Sequence, residues 1–388
     1  MSLRVLLVGA GHAHLYVIRR AKALGAAGLD LCLVSPATFS YSGLATGALS
    51  GALSLRAGEV DIVALAAAHG VRHHPTTVEH VDLTERRAHL VGGGFVDFDI
   101  VSFNVGSTIA DPLGLSSRPR VWPVKPLAAL LPLRDMVERE MAAAGRCPAI
   151  VIAGGGQTAF EISAALCGLC GRHGVRPNIT VVGSRVDAAW MPAKAARRLL
   201  ATLRTRGVEF RADQVVSRTS DWCRLASGGS LACDALVLAT GLVAADIMRT
   251  LDLPVDEQGR LRVSSRLRTA CNHRVFAVGD CGVMEDDPRP CMGLFGVRAA
   301  PVLVRNLVAL ARKRRLVTYR PQRHWLSIMD LGDGTGLALR GHIWWLGRTA
   351  LRLKRGLDLG FVRRARLGSL SRFSNQVFEK RDKEPGAP

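Results

Sequence analysis

Two glycine turns carry the residues with the most chemical meaning in this 388-residue chain. The first follows the apolar run Val5-Leu6-Leu7-Val8 and reads Gly9-Ala10-Gly11-His12-Ala13-His14. The second follows Ile150-Val151-Ile152-Ala153 and reads Gly154-Gly155-Gly156-Gln157-Thr158-Ala159. Each runs on into helix-like sequence. A glycine turn between a strand and a helix suits a pyrophosphate. The first glycine makes the tight turn, the second lets the anion approach the backbone, and a small third residue lets helix and strand pack closely. The anion then faces unpaired N–H groups and the positive end of the helix. Gly154, Gly156 and Ala159 fill all three positions, while the first copy has Gly9 and Gly11 and places His14 at the third. Two such turns in one chain predict two dinucleotide-binding folds.

The elements that must hold these turns are legible in outline. Residues 1–40 read strand, helix, strand, the second strand being Leu29 to Val34. An acid normally follows that strand to bind a ribose hydroxyl; here Ser35 stands in its place, and a serine hydroxyl can serve the same bond. The matching strand of the second fold, Ile179 to Val182, runs into Gly183-Ser184-Arg185. Ser184 and Arg185 suit a 2′-phosphate, which favours NADPH, although an ordinary surface arginine fits Arg185 equally well. Three further buried-type strands end in Asn104-Val105-Gly106, in Ala239-Thr240-Gly241 and in Gly279-Asp280. Helical spacing is expected over 61–68, 127–144, 193–206 and 296–310, and Pro123 and Pro126 mark a domain crossing.

The chain carries a net charge of +20, an excess that calls for an anionic ligand, a nucleic acid or an anionic membrane surface. Its nine cysteines are scattered and odd in number, with no leader ahead of Val5, which reads as a cytoplasmic protein with reduced thiols. The most apolar long window, 292–311, contains Arg298 and Arg305, so no bilayer span is expected. His69, His73, His74, His80 and His89 fit no ligand spacing, and no metal site is expected. Cys167 and Cys170 form a C-x2-C inside a helix and read as packing residues.

Together these motifs resemble the FAD-dependent pyridine nucleotide–disulfide oxidoreductase superfamily over roughly residues 3–320. The resemblance implies an α/β fold of two Rossmann-like domains, an FAD domain split by an inserted NAD(P)H domain, plus a C-terminal extension. The divisions expected are 1–122 and 256–320 for the FAD domain, 123–255 for the NAD(P)H domain, 321–374 for an amphipathic membrane-association region and 375–388 for a disordered tail. FAD would sit at Gly9, Gly11, His14, Ser35 and Gly106, with Gly279 and Asp280 at the ribityl chain and Arg298 neutralising reduced flavin or binding an anionic acceptor. NAD(P)H would sit at Gly154, Gly156, Thr158, Ala159, Arg185 and Gly241. Within the superfamily the chain is most similar to type II NADH dehydrogenases, sulfide:quinone oxidoreductases and the flavoproteins fused to selenide, water dikinase. Gly11-His12-Ala13-His14, Tyr41-Ser42-Gly43 and Arg289-Pro290 carry the last likeness. Thr158 and Glu161 match a turn of the type II dehydrogenases, whose glutamate is proposed to relay protons, so that role is expected of Glu161 beside the plainer one of a helix salt bridge.

The expected reaction is electron transfer from NAD(P)H through flavin to a quinone-like acceptor, with the cofactor carrying the chemistry. Two alternatives stay open: a flavoprotein of sulfur or selenium metabolism, and a non-catalytic flavin-binding redox partner. In the tail, Ile343, Leu346, Ala350, Leu353, Leu357 and Phe361 recur at helical steps beside Trp344, Trp345 and many arginines. That pattern predicts an interfacial helix over 343–366 on an anionic membrane, at the inner face of the cell membrane; docking on the protein itself is the competing reading. Aromatics at 5% argue against nucleic acid, and a homodimer is compatible with the sequence.

Overall fold

The computed structural model describes residues 2–54 and 56–367. The chain first lays down β1 (Leu3–Val8), α1 (His12–Ile18), β2 (Leu29–Val34), β3 (Arg72–His74) and β4 (Ile100–Phe103). It then crosses to β5 (Val121–Pro123), β6 (Ile150–Ala153), α2 (Gln157–Arg172), β7 (Ile179–Gly183), β8 (Val208–Ala212) and β9 (Ala235–Leu238). It returns for β10 (Val275–Ala277) and α3 (Gly293–Ala311). The last described elements are β11 (Ser327–Asp330), β12 (Gly336–Arg340), β13 (Ile343–Gly347) and α4 (Arg348–Leu367).

Two five-stranded sheets result, ordered β10-β4-β1-β2-β3 and β5-β9-β6-β7-β8. Every pairing in them is parallel. Parallel strands are covered on both faces, which is why β6 and β9 are short unbroken apolar runs, β1 is one from Val5 onward, and β4 is interrupted by Ser102 alone. Val5, Leu6, Leu7 and Val8 anchor one core, and Ile150, Val151, Ile152 and Ala153 the other. In each sheet a glycine turn leaves the central strand where the strand order reverses, the place where α/β folds bind ligands. The architecture is the expected α/β fold with two Rossmann-like sheets. The antiparallel pairing of Ser107–Ile109 with Leu242–Ala244 ties the two crossings together. β5 straddles the expected crossing and pairs with β9 in the second sheet.

Two expectations change. The tail is not one continuous helix: Ile343–Gly347 is a strand in the antiparallel sheet β11-β12-β13, and the helix starts only at Arg348. Pairing with β12 removes Ile343 and Leu346 from the helical stripe. α4 then docks on the protein through Ala350, Leu351, Val362 and Ala365, all buried, while Leu353, Leu357 and Leu359 face outward. The apolar window also forms α3, whose nineteen residues are long and apolar enough to cross a membrane by composition. Here it packs against α1 and buries Phe295, Ala299, Leu303 and Leu307. The expected tail 375–388 lies outside the described residues.

Candidate functional site: a cavity between two glycine turns

The two turns open onto one cavity of about 1420 Å³. Its wall includes Gly9, Gly11, Ser35, Gly106, Gly279 and Asp280 from the first sheet's side, and Gly156, Thr158 and Glu161 from the second. Nine of the fifteen residues expected at the site therefore meet on one surface.

The first turn is built around a residue that the motif did not reveal. Asn104, buried at the tip of β4, accepts from the amides of Ala13 and His14 at 2.9 and 3.2 Å and donates to the Val278 carbonyl at 2.7 Å. Its own carbonyl accepts from Gly11 N at 3.1 Å. It thus caps α1 from a neighbouring strand and joins the ends of β1, β4 and β10. The same approach explains the glycines. A Cβ at Gly9 would lie 2.7 Å from the Asn104 carbonyl oxygen, and one at Gly11 would lie 2.5 Å from Asn104 Oδ1. Gly9 also has φ +83°, in the region that favours glycine. Gly11 therefore makes room for protein as well as for anion.

His14 does not reach the cavity. It is fully buried beneath the turn, with Nδ1 2.6 Å from the Gly9 carbonyl and Nε2 2.9 Å from Ser102 Oγ. Burial pushes its imidazole down to about 4. A neutral ring donates from Nδ1 to the Gly9 carbonyl and accepts the Ser102 hydroxyl at Nε2. It holds the turn from below, which accounts for a histidine at the small-residue position. His12 does line the cavity, edge-on to Phe39 and Tyr41 at 5.3 and 5.4 Å. Desolvation lowers it to about 4 as well, with Asp280 opposing and Lys125 assisting.

The second turn repeats the logic. Gly154 has φ +135°, and a Cβ there would lie 2.1 Å from the Ala239 carbonyl oxygen. It packs against β9, off the cavity wall, and Ala159 is buried in α2. At Gly156 an added Cβ would meet nothing within 4 Å, so this residue faces open cavity. Gly241 is exposed and ties the crossings through its carbonyl, which accepts from Ala110 N at 3.0 Å. Arg185 is exposed and paired with Asp187 at 3.0 Å, and Arg298 is exposed on α3. None of Gly154, Ala159, Gly241, Arg185 and Arg298 lines the cavity. The arginine and glycine identities were legible, but their directions follow from helix phase and loop path.

Glu161 projects from the start of the second turn of α2 onto the wall. Removal from water pushes its carboxyl up to about 7; Lys354 opposes the rise and Asp330 adds to it. Lys354 comes from α4. It donates to Asp358 Oδ2 at 2.9 Å and to the Gly43 carbonyl at 2.8 Å, and the Tyr41 hydroxyl donates to Asp358 Oδ1 at 2.9 Å. The ring of Phe361 stacks on Tyr41 at 4.7 Å. The tail thus supplies a wall of the cavity. Cys291 is the one cysteine on that wall among the described residues, and Cys167 and Cys170 are buried in α2 as expected.

Residues 3–292 match the family described as pyridine nucleotide-disulphide oxidoreductase. The chain belongs to that family. With it come FAD as cofactor and NAD(P)H as co-substrate. The residues present fit both groups: two turns at two switch points share one cavity, Gly156 opens onto it, and Asp280 stands at its edge. Human ferroptosis suppressor protein 1 is 24% identical over 295 residues, covering 72% of this chain and 74% of the relative. The solved sulfide:quinone oxidoreductase of Aquifex aeolicus superposes with a TM-score of 0.81 at 14% identity, over 97% of this chain and 95% of the other. The water-forming NADH oxidase of Lactobacillus brevis bound to NADH gives 0.70 at 16% identity, over 88% and 75%. At these identities the two structures speak for the fold.

Proposed function

We propose that this flavin-dependent oxidoreductase takes electrons from NAD(P)H and passes them to a quinone-like acceptor. The observation that carries the reading is Glu161, a carboxyl on the cavity wall that burial moves up to about 7. A quinone needs two electrons and two protons. FAD supplies the electron transfer when bound. Glu161 can release and regain a proton near neutral pH, and Lys354 beside it favours the ionised form that must be refilled. The first turn offers the pyrophosphate its glycines and the start of α1. Gly156 and Thr158 take the nicotinamide nucleotide at the second turn. Trp190, Met191, Leu242, Ile247, Trp325 and Leu339 give the wall an apolar portion suited to a ring and to keeping water out. A disulfide acceptor needs two thiols at the flavin, and the described wall carries Cys291 alone.

The outward face of α4 supports a membrane-surface setting. Leu353, Leu357 and Leu359 are exposed among the exposed Arg348, Arg352, Arg363, Arg364 and Arg366. Apolar residues ringed by arginines match an anionic lipid surface.

The test is anaerobic bleaching of the FAD-loaded protein by NADH, NADPH or sulfide, followed by reoxidation with a soluble quinone. Rapid bleaching by a nicotinamide nucleotide and recovery with quinone is the expected result. Bleaching by sulfide alone, or recovery with oxygen but not quinone, overturns the reading.

A further inference from the structure

Lys125 lines the cavity on the segment that joins the two sheets. It follows β5 of the second sheet, whereas Asp280 follows β10 of the first. The Lys125 ammonium donates to Asp280 Oδ2 at 3.1 Å and to Ser107 Oγ at 2.6 Å. The Ser107 hydroxyl donates to the same Oδ2 at 2.8 Å. The lysine and aspartate side chains are 23% and 13% exposed, so the pair is shielded but open to the cavity. No hydrogen bond among the described residues reaches Asp280 Oδ1, which leaves that oxygen for a ligand.

Three cations line the described wall: Lys125, Arg323 and Lys354. Arg323 is exposed, and Lys354 is held by Asp358 and Gly43. His12, beside Asp280, is neutral near pH 7. Among the described lining cations, Lys125 is therefore the one bonded to Asp280, on the first sheet's side of the cavity.

We propose that Lys125 sets the electron affinity of the flavin bound at the first turn, by holding one positive charge against Asp280 on the cofactor's wall. The proposal rests on the FAD reading above. A hydride delivers two electrons and one proton, so reduction adds one negative charge to the ring system unless a second proton follows. A fixed cation in a shielded site favours the form that carries that charge. Removing the ammonium uncovers the Asp280 carboxylate. The charge on the wall then falls by one unit, whichever of the two groups stands nearer the ring. Because Lys125 rides on the crossing segment, the charge also depends on how the second sheet sits against the first.

The experiment is dye equilibration of the FAD-saturated wild type, Lys125→Gln, Lys125→Arg and Asp280→Asn, without oxygen. Lys125→Gln is expected to lower the equilibrium constant for two-electron reduction at least tenfold, a midpoint about 30 mV more negative. Lys125→Arg keeps the charge and is expected to stay within threefold of wild type. Asp280→Asn removes the opposite charge and is expected to move the midpoint upward. A change under tenfold in Lys125→Gln with FAD bound overturns the proposal and leaves the lysine a mere clamp for Asp280. Shifts of the same sign in Lys125→Gln and Asp280→Asn overturn it too. A wild type that takes up no FAD removes the proposed function as well, whereas FAD uptake with an unmoved midpoint removes this proposal alone.

Discussion

Glu161→Gln should make the cofactor-free protein more stable at alkaline pH and leave it unchanged in acid. The carboxyl's ordinary value is 4.5 and its folded value is about 7, because the cavity wall removes it from water. The folded chain therefore binds an extra proton between those values. An acid whose folded value is raised costs stability as pH climbs through that window, and the full cost is present above pH 7. At about 1.4 kcal/mol per pH unit the gap is worth about 3 kcal/mol. Glu161 is only half-buried on an open cavity, so solvent reduces the cost, and a gain of about 1–2 kcal/mol is expected for the glutamine at pH 8. Urea unfolding of both proteins at pH 5, 6, 7 and 8 measures it. The two stability curves should meet near pH 5 and separate with rising pH. Parallel curves, or a glutamine variant weaker than wild type at pH 8, would refute the argument that Glu161 is held neutral by burial, and the proton-delivery role would go with it.

Lys354→Met should raise the Glu161 titration further, because its nearest cation is gone, and should cost about 3–5 kcal/mol by leaving Asp358 buried and unpaired; the same urea series reads both. Asn104→Ala leaves two buried amides and the Val278 carbonyl without partners, so we expect a loss of about 2–4 kcal/mol and weaker FAD retention on gel filtration. Gly154→Ala forces a Cβ 2.1 Å from the Ala239 carbonyl oxygen and should cost more than about 2 kcal/mol, whereas Gly156→Ala meets no protein atom and should stay within about 0.5 kcal/mol in thermal unfolding while weakening nicotinamide nucleotide binding at least tenfold by fluorescence titration. Leu353→Asp with Leu357→Asp alters exposed positions only, so thermal stability should hold within about 0.5 kcal/mol per site while flotation with anionic vesicles is lost; equal flotation would remove the membrane reading.

The sheets were readable because both are parallel and buried on two faces. The central strands β1 and β6 are apolar runs closed by glycine, a pattern that local sequence states outright, whereas the edge strands β3 and β8 carry polar residues and show no such run. What local sequence could not state was which neighbour fills each position. Asn104 was visible as the end of a buried strand, yet its capping of α1 depends on β4 lying beside β1. His14 looked like a ligand residue because it occupies a motif position; the pairing of Ser102 behind it turns it inward. Arg298 and Arg185 had suitable charge, and only helix phase and loop path take them off the wall. Lys125 sat unmarked between two prolines because its partner is 155 residues away. The tail erred in a different way. Its apolar residues at three- and four-residue steps fit a helix from 343, but β12 offers edge hydrogen bonds to Ile343–Gly347, and tertiary pairing overrides the local period.

One acid in the tail ties these threads. Asp358 is the lone carboxylate in a strongly basic segment, and a solvated membrane helix would have no use for it. Buried, it gathers Lys354 from its own helix and Tyr41 from the loop after β2. Those bonds fix α4 across the cavity and set Lys354 close enough to Glu161 to influence its proton. The Lys354–Asp358 pair therefore serves both the seating of α4 and the charge beside Glu161, alongside the apolar contacts of Ala350, Leu351, Val362 and Ala365. This divides α4 into two faces with different tasks. The inner face lines the cavity, and the outer face, with Leu353, Leu357 and the exposed arginines, is the one that the proposed lipid contact would use. A membrane that pulled the whole helix away would dismantle the Lys354–Asp358–Tyr41 contact, so any productive lipid contact must leave the inner face seated.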